Sequence, residues 1–236
     1  MIAKPNVAAD PASDGGLRSS KWVQRLKRLA PGGVCYDPWS DKRIRRFLDH
    51  CERDARIVDV GSGTRVLDAR IVRLDIDQRA GVQVIGDGHE MPFRSDSLDA
   101  VLLTGVLEHV ADPPAMVAQV LRVLKPTGRV YVEVPFLQGY HPHPTDYQRY
   151  TKTGLQRLMR DFRELDCNVC GGPSSALAWV ASEYIAAHTS TERGYLVAKF
   201  LGRWLSFWIK YLDWFSIGRP NALVLASGFY YIGAKR

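Results

Sequence analysis

Apolar residues along the chain fall into two kinds of run. Short, nearly unbroken runs occupy Arg56–Val60, Ile71–Asp75, Val82–Ile85, Ala100–Leu103 and Val130–Val134, the pattern of parallel strands buried on both faces. Around them, apolar positions recur at three- and four-residue steps. Ser40 can cap a helix that places Ile44, Phe47, Leu48 and Cys51 on one side and Arg43, Arg45 and Arg46 elsewhere. Asp112-Pro113 reads as a cap followed by proline at the first helical position, opening a helix that carries Val117, Val120, Leu121 and Leu124 and stops at Lys125-Pro126. Another helix follows Thr151 or Thr153, with Leu155, Leu158, Met159 and Phe162 inward, and leads to a strand near Phe162–Cys170. Gly228–Gly233 is the last strand. Strand and helix in repetition predict a doubly wound α/β sheet.

Two spacings are short for that plan. Only twelve residues separate Gly63 from Asp75, and twelve more separate Asp75 from Asp87, where a parallel crossover normally includes a helix. The first two crossovers are therefore expected to be irregular, with the N-terminal helix or another segment covering that part of the sheet.

Composition narrows the class. With 236 residues, 46% hydrophobic and 24% charged, the chain can bury a core, so disorder is not expected, and collagen-like, low-complexity and disulfide-scaffold classes are excluded. Residues 1–20 read as a flexible tail and 21–236 as one domain. No secretory leader is visible, which points to a reducing cytoplasm and free thiols at Cys35, Cys51, Cys167 and Cys170. Cys167-Asn-Val-Cys170 lacks further ligands at workable spacing for zinc. The net charge of +7 is uneven. Residues 1–50 and 189–236 each carry an excess of five basic groups, leaving a mildly acidic middle. Basic ends fit an anionic partner, although solvated surface charge produces the same pattern.

The densest local signal is Ile57-Val58-Asp59-Val60-Gly61-Ser62-Gly63-Thr64, a buried strand running into a glycine turn where a ligand can approach the backbone. Val66 stands where a dinucleotide fingerprint needs its third glycine, and no Gly-Lys-Ser/Thr follows, so neither an NAD site nor a phosphate-binding loop is expected. Asp59 would repel a pyrophosphate and suits an ammonium group. Asp75, with Asp77 as fallback, is placed for two ribose hydroxyls. Asp87-Gly88 suits an exocyclic amine, with the glycine admitting a ring. A helix cap or a surface charge explains any one of these acids, but less readily all three at successive strand ends.

These segments, with Leu74-Asp75-Ile76, Gly86-Asp87-Gly88-His89-Glu90-Met91-Pro92-Phe93, Leu98-Asp99-Ala100-Val101, Val106-Leu107-Glu108-His109-Val110 and Arg122-Val123-Leu124-Lys125-Pro126-Thr127-Gly128, resemble the class I S-adenosylmethionine-dependent methyltransferases, in the branch grouped with menaquinone and ubiquinone methyltransferases. The resemblance spans about residues 55–135. It implies a Rossmann-like sheet with an antiparallel last strand, and S-adenosylmethionine held by Asp59, Gly61, Ser62, Gly63, Asp75, Ile76, Asp87, Gly88 and Thr104. Arg65 departs from a frequent further glycine.

The acceptor is expected at loops after the fourth and fifth strands. Glu108-His109 follows the fourth. The segment 135–150 after the fifth holds Tyr140, His141, His143, Asp146, Tyr147 and Arg149. His141 or His143 is the expected base, with His109 next, since histidine titrates near neutrality. Asp146 would orient it, and Glu108, Tyr140, Tyr147 and Arg149 would meet the acceptor. No metal is expected, since His141-x-His143 has too few companions.

Residues 172–220 separate strands that this fold ordinarily joins by a hairpin, and so form a helical insert. Within it, Lys199, Arg203, Ser206, Lys210 and Asp213 make one polar stripe on an otherwise apolar helix from Tyr195 to Phe215. A basic stripe beside an aromatic face fits a peripheral membrane helix at the inner surface, a dimer interface or a lid. The expected activity is methylation, of oxygen first, on a small-molecule or lipid- or saccharide-linked acceptor. The alternatives are an RNA methyltransferase and a non-catalytic cofactor-binding scaffold. Nucleic acid is disfavoured, because Leu103-Thr104-Gly105-Val106 stands where an amino-methylation motif would lie.

Overall fold

The computed structural model describes residues 28–30, 32, 37–142 and 145–236; the expected tail over 1–20, Cys35 and His143 lie outside the described residues. Seven strands form one sheet: β1 (Ile57–Val60), β2 (Ile71–Asp75), β3 (Val84–Ile85), β4 (Leu98–Thr104), β5 (Leu124–Pro135), β6 (Phe162–Val169) and β7 (Gly228–Lys235). Their order across the sheet is β3-β2-β1-β4-β5-β7-β6. Neighbours from β3 through β5 pair parallel, and β7 pairs antiparallel with both β5 and β6. This is the mostly parallel, doubly wound sheet with a reversed last strand that the sequence predicts. The order reverses between β1 and β4, so Val60 and Thr104 flank the crevice where such sheets take ligands.

No helix intervenes between β1 and β2 or between β2 and β3, as the two short spacings require. Their face of the sheet is covered from ahead of the domain. Helix α1 (Ser40–Asp49) seats Ile44, Phe47 and Leu48 against Ile57, Ile71, Ala100, Leu102 and Tyr131. The opposite face buries Val58, Val60, Leu74, Val101 and Leu103 under Met116, Val117 and Val120 of α2 (Pro113–Val123) and Leu155 of α3 (Lys152–Leu158). Asp112 caps α2 by accepting from Ala115 N at 3.1 Å, and Thr151, not Thr153, caps α3 by accepting from Gly154 N at 3.1 Å. One boundary moves: α2 ends at Val123, and Leu124 opens β5 beside Leu98. Pro126 favours extended backbone before it, which ends the helix early.

Between β6 and β7 lie α4 (Pro173–Ala187), α5 (Glu192–Ser206) and α6 (Asp213–Ser216), with 3₁₀ turns at Ile209–Leu212 and Pro220–Leu225. The helix expected over Tyr195–Phe215 is thus broken after Ser206. Its polar stripe points inward. Asp213 is fully buried and accepts from Ser174 N (2.9 Å), Ser175 N (2.8 Å) and Ser216 Oγ (2.9 Å). It caps α4 from across the fold, because the local cap residue, Gly172, has no side chain; a Cβ there would lie 2.3 Å from Asp213 Oδ1. Ser206 Oγ lies 2.8 Å from Gly202 O and 3.1 Å from Ala178 O, and Lys210 Nζ donates to Gly32 O at 3.3 Å. Lys199 pairs with Glu183 at 2.6 Å. Sequence spacing shows which residues share a face, and their hydrogen-bond partners determine that this face turns in.

Candidate functional site

β1 brings Asp59 to the carboxyl edge of the sheet, where the chain turns through Gly61 (φ +65°) and Gly63 (φ +55°). A Cβ on Gly61 would lie 2.7 Å from Val106 Cγ2, whereas nothing stands within 4 Å of one on Gly63. Backbone conformation demands both glycines, and the second faces open space. Asp75 ties the turn to the end of β2: Oδ2 accepts from Gly63 N at 2.8 Å and Oδ1 from Asp77 N at 3.0 Å. Its oxygens keep further lone pairs for hydroxyl donors. Asp87 Oδ1 accepts from His89 N (2.9 Å) and His89 Nδ1 (2.8 Å), and the backbone bond holds its carboxyl below the usual range. Oδ2 stays available. A Cβ on Gly88 would lie 2.3 Å from Met116 Cε, so the missing side chain lets this methionine pack against the turn.

Asp59 is 1% exposed, and both its oxygens accept from Arg65 Nη2 at 3.0 Å. Burial raises its pKa, and the guanidinium opposes that shift. Where the sequence expects a carboxylate open to an ammonium ligand, a cation of the chain already sits. Nearby, Ser62 Oγ and Thr104 Oγ1 are buried without a hydrogen-bond partner among the described residues, and Ile76 is 65% exposed beside Asp75. Orphaned hydroxyls, open space at Gly63, an exposed aliphatic side chain and spare carboxylate acceptors fit a nucleoside bearing a charged amino-acid arm.

The second half of the site faces this row from the loops after β4 and β5. Glu108 sits in a 3₁₀ turn, Leu107–His109, and is 2% exposed. Its Oε1 is 3.9 Å from both His109 Nε2 and His141 Nε2, and its Oε2 is buried without a partner among the described residues. Both imidazoles are held by their other nitrogen. His141 Nδ1 lies 2.8 Å from Gly139 O and 3.2 Å from Arg149 Nη2, and His109 Nδ1 lies 2.5 Å from Thr145 O. Both Nε2 atoms face the carboxylate. The Glu108 carboxylate raises the His141 pKa above 6.5, against the opposing effect of burial. The loop is latched to the turn by Tyr147 N to Glu108 O (2.8 Å) and by Gln148 Nε2 to Leu107 O (2.9 Å) and Val110 O (3.0 Å).

The predicted residues therefore divide. His109, His141 and Glu108 converge, whereas His143 lies outside the described residues. Asp146 positions His141 through its backbone N–H (2.8 Å) more than through the ring, whose Nδ1 is 3.8 Å away. Arg149, expected to meet the acceptor, instead spends its donors on Asp146 and on the carbonyls of Gln138, Gly139 and Gln148, with Nη2 also 3.2 Å from His141 Nδ1, so it knits the loop together. Tyr140 and Tyr147 stand exposed at the mouth. Sequence reading misses Trp179 of α4. Its ring centroid is 5.4 Å from that of His141, and its buried Nε1 has no partner among the described residues. The donor atoms of Glu108, His109 and His141 all lie within 4.8 Å of one another, a spacing that suits a proton relay and also a metal. Burial pushes the Cys167 thiol up to about 12, which suits neither redox work nor metal binding.

Residues 58–132 match the family described as methyltransferase domain. The chain is 32% identical over 95 residues to the biotin biosynthesis bifunctional protein BioHC of Cellvibrio japonicus, covering 33% of this chain and 19% of that protein. It is 30% identical over 136 residues to the demethylmenaquinone methyltransferase of Renibacterium salmoninarum, covering 57% and 51%. The chain thus spans about half or less of the length of these curated relatives. Among solved structures it superposes on a proposed sarcosine dimethylglycine methyltransferase of Galdieria sulphuraria with a TM-score of 0.58 at 13% identity, over 91% of this chain and 97% of that one. A methyltransferase of Archaeoglobus fulgidus gives 0.55 at 15% identity over 92% and 100%.

Proposed function

We propose that the chain, whose residues 58–132 match the methyltransferase-domain family, is a class I S-adenosylmethionine-dependent methyltransferase that methylates a hydroxyl oxygen of a small-molecule or lipid- or saccharide-linked acceptor. The observation that carries this reading is the His141 imidazole, with Nδ1 held 2.8 Å from Gly139 O and Nε2 turned to the buried Glu108 carboxylate at 3.9 Å.

Asp75 would hold the ribose hydroxyls, Asp87 the adenine amine, and Asp59 the ammonium group once Arg65 shares or yields its carboxylate. When bound, the cofactor supplies a methyl group on a positively charged sulfur, and its transfer leaves S-adenosylhomocysteine. His141 Nε2 takes the acceptor proton as the oxygen–carbon bond forms. Glu108 stabilises the imidazolium that results, since a buried carboxylate at that distance favours the charged ring. His109 faces the same oxygen of Glu108 and is the second candidate for the proton. Trp179, Tyr140 and Tyr147 offer aromatic surface to an acceptor with an apolar portion, in keeping with the quinone-methylating relative.

The test is release of S-adenosylhomocysteine with a panel of phenolic, saccharide and prenyl-linked hydroxyl compounds. For an acceptor turned over by the wild type, His141→Gln should lower turnover by about 10²–10⁴, the usual worth of a general base, with cofactor affinity within twofold. Equal turnover by the variant would remove His141 from the reaction. Tight cofactor binding with no turnover across the panel would favour a binding scaffold.

A further inference from the structure

The insert is packed inside out. The most deeply buried residues of α4 are Ser175, Ala176, Ala178, Ser182 and Ala186, all small, and those of α5 are Gly202 and Ser206. The two helices approach closely: a Cβ on Gly202 would lie 3.0 Å from both Cα and O of Ser182, and the Ser206 hydroxyl bonds backbone carbonyls at the contact. Several large apolar side chains point away from the protein. Leu201, Leu205 and Trp208 follow one another at helical spacing with 52%, 67% and 56% of their surface exposed, and Phe215 beyond them is 71% exposed. In water the hydrophobic effect drives the reverse arrangement. Small residues and serine hydroxyls between helices, with large aliphatic and aromatic residues outside, is how helices pack when their surroundings are lipid.

Charge identifies the kind of lipid. Trp214 packs on Trp39 with the rings tilted and their centroids 5.1 Å apart, and Trp39 borders an open cleft of roughly 720 Å³ on the sheet face beside α1. The cleft is lined by Lys42, Arg46, His50 and Arg129, and by none of the acids at the strand ends. Its one carboxylate, Asp166, accepts from Tyr230 Oη at 2.6 Å. Lys42, Arg46 and Arg129 have no carboxylate partner among the described residues. A basic cleft thus adjoins an aromatic, outward-facing helical face, the pairing that takes an anionic headgroup and the apolar chain attached to it. Helices of fifteen residues reach about 22 Å, short of the roughly 30 Å hydrocarbon core, and no described helix is long and apolar enough to cross a membrane.

We propose that α4, α5 and the turns that follow dock flat on an anionic membrane surface, with the Lys42–Arg46–Arg129 cleft receiving phosphate headgroups. This does not depend on which atom is methylated. α4 also carries Trp179 against His141, so the docked helix sits beside the proposed base.

The test is co-sedimentation of the full chain with phosphatidylglycerol and with phosphatidylcholine vesicles, alongside sedimentation velocity without lipid. The wild type should bind phosphatidylglycerol vesicles at least tenfold more tightly than phosphatidylcholine ones. Leu205→Glu/Phe215→Glu, two of the most exposed positions, should keep the wild-type Tm and lose binding to both. Arg46→Glu should weaken binding to the anionic vesicles about fivefold or more, the worth of one basic side chain at such a surface, and leave phosphatidylcholine binding unchanged. A wild type that ignores both vesicles overturns the proposal. So does a stable dimer in the absence of lipid that Leu205→Glu dissociates, since the face would then belong to a second copy.

Discussion

Removing Arg65 should tighten cofactor binding while loosening the free protein. Arg65 Nη2 contacts both oxygens of Asp59, whose carboxylate is 1% exposed. Breaking a fully buried ion pair from one side costs about 3–5 kcal/mol. The Arg65 side chain is 35% exposed, and solvent screening brings the expected cost of Arg65→Ala to about 1.5–2.5 kcal/mol. A ligand ammonium that takes the vacated position restores the pair and recovers most of that cost. Desolvation of the ammonium offsets part of the gain, leaving affinity for S-adenosylhomocysteine about tenfold higher, close to 1.4 kcal/mol. Titration calorimetry reads this directly, and thermal melts should show a lower Tm for the free variant and a larger ligand-induced rise. An analogue of S-adenosylhomocysteine lacking the amino group should show no gain. A loss of affinity in Arg65→Ala would refute the reasoning and make Arg65 a ligand contact, and an equal gain for the analogue would mean that Asp59 does not meet the ammonium.

Glu108→Gln should move the acidic limb of the pH–rate profile downward, because the Glu108 carboxylate is the leading cause of the raised His141 pKa and the base works only when neutral. The same pair makes a stability prediction. A pKa raised in the folded state contributes stability that is fully present below the unfolded value near 6.5 and lost as pH rises through the folded value, so Glu108→Gln should lose more Tm at acid pH than at alkaline pH. Asp213→Ala leaves two N–H groups of α4 and the Ser216 hydroxyl without their acceptor in the interior, and chemical denaturation should show a loss of about 2–4 kcal/mol, with Asp213→Asn recovering part of it. Wild-type stability in Asp213→Ala would show that the cap from across the fold contributes nothing.

What the sequence makes legible is what short-range pattern determines. Ile57–Val60 followed by Gly61 and Gly63, and acids at Asp75 and Asp87, are local facts, and the sheet brings them to one edge because parallel strands end there. The two short crossovers are likewise a matter of counting residues, and α1 covers the gap they leave. Contacts between distant segments are not written in spacing. Arg65 reaches Asp59 only because the turn folds back, and Trp179 reaches His141 only because the insert lies over the 139–150 loop. Arg149 looks free in the sequence, yet the loop consumes all its donors. The clearest case is the stripe Lys199, Arg203, Ser206, Lys210 and Asp213. Helical period groups these residues, but direction depends on partners elsewhere: the bare N-terminus of α4 for Asp213, the carbonyls of Ala178 and Gly202 for Ser206, and Gly32 O for Arg203 and Lys210.

Titration of the wild type and of Asp75→Ala with S-adenosylhomocysteine tests most directly whether the acidic edge of the sheet is a cofactor site. Asp75 holds Gly63 N and Asp77 N and has lone pairs left for two hydroxyls. Charge-assisted hydrogen bonds contribute about 1.5–3 kcal/mol each, so one-to-one binding by the wild type should weaken at least tenfold in the variant at a temperature where both remain folded. Absence of binding to the wild type, or equal affinity in the two proteins, would contradict it.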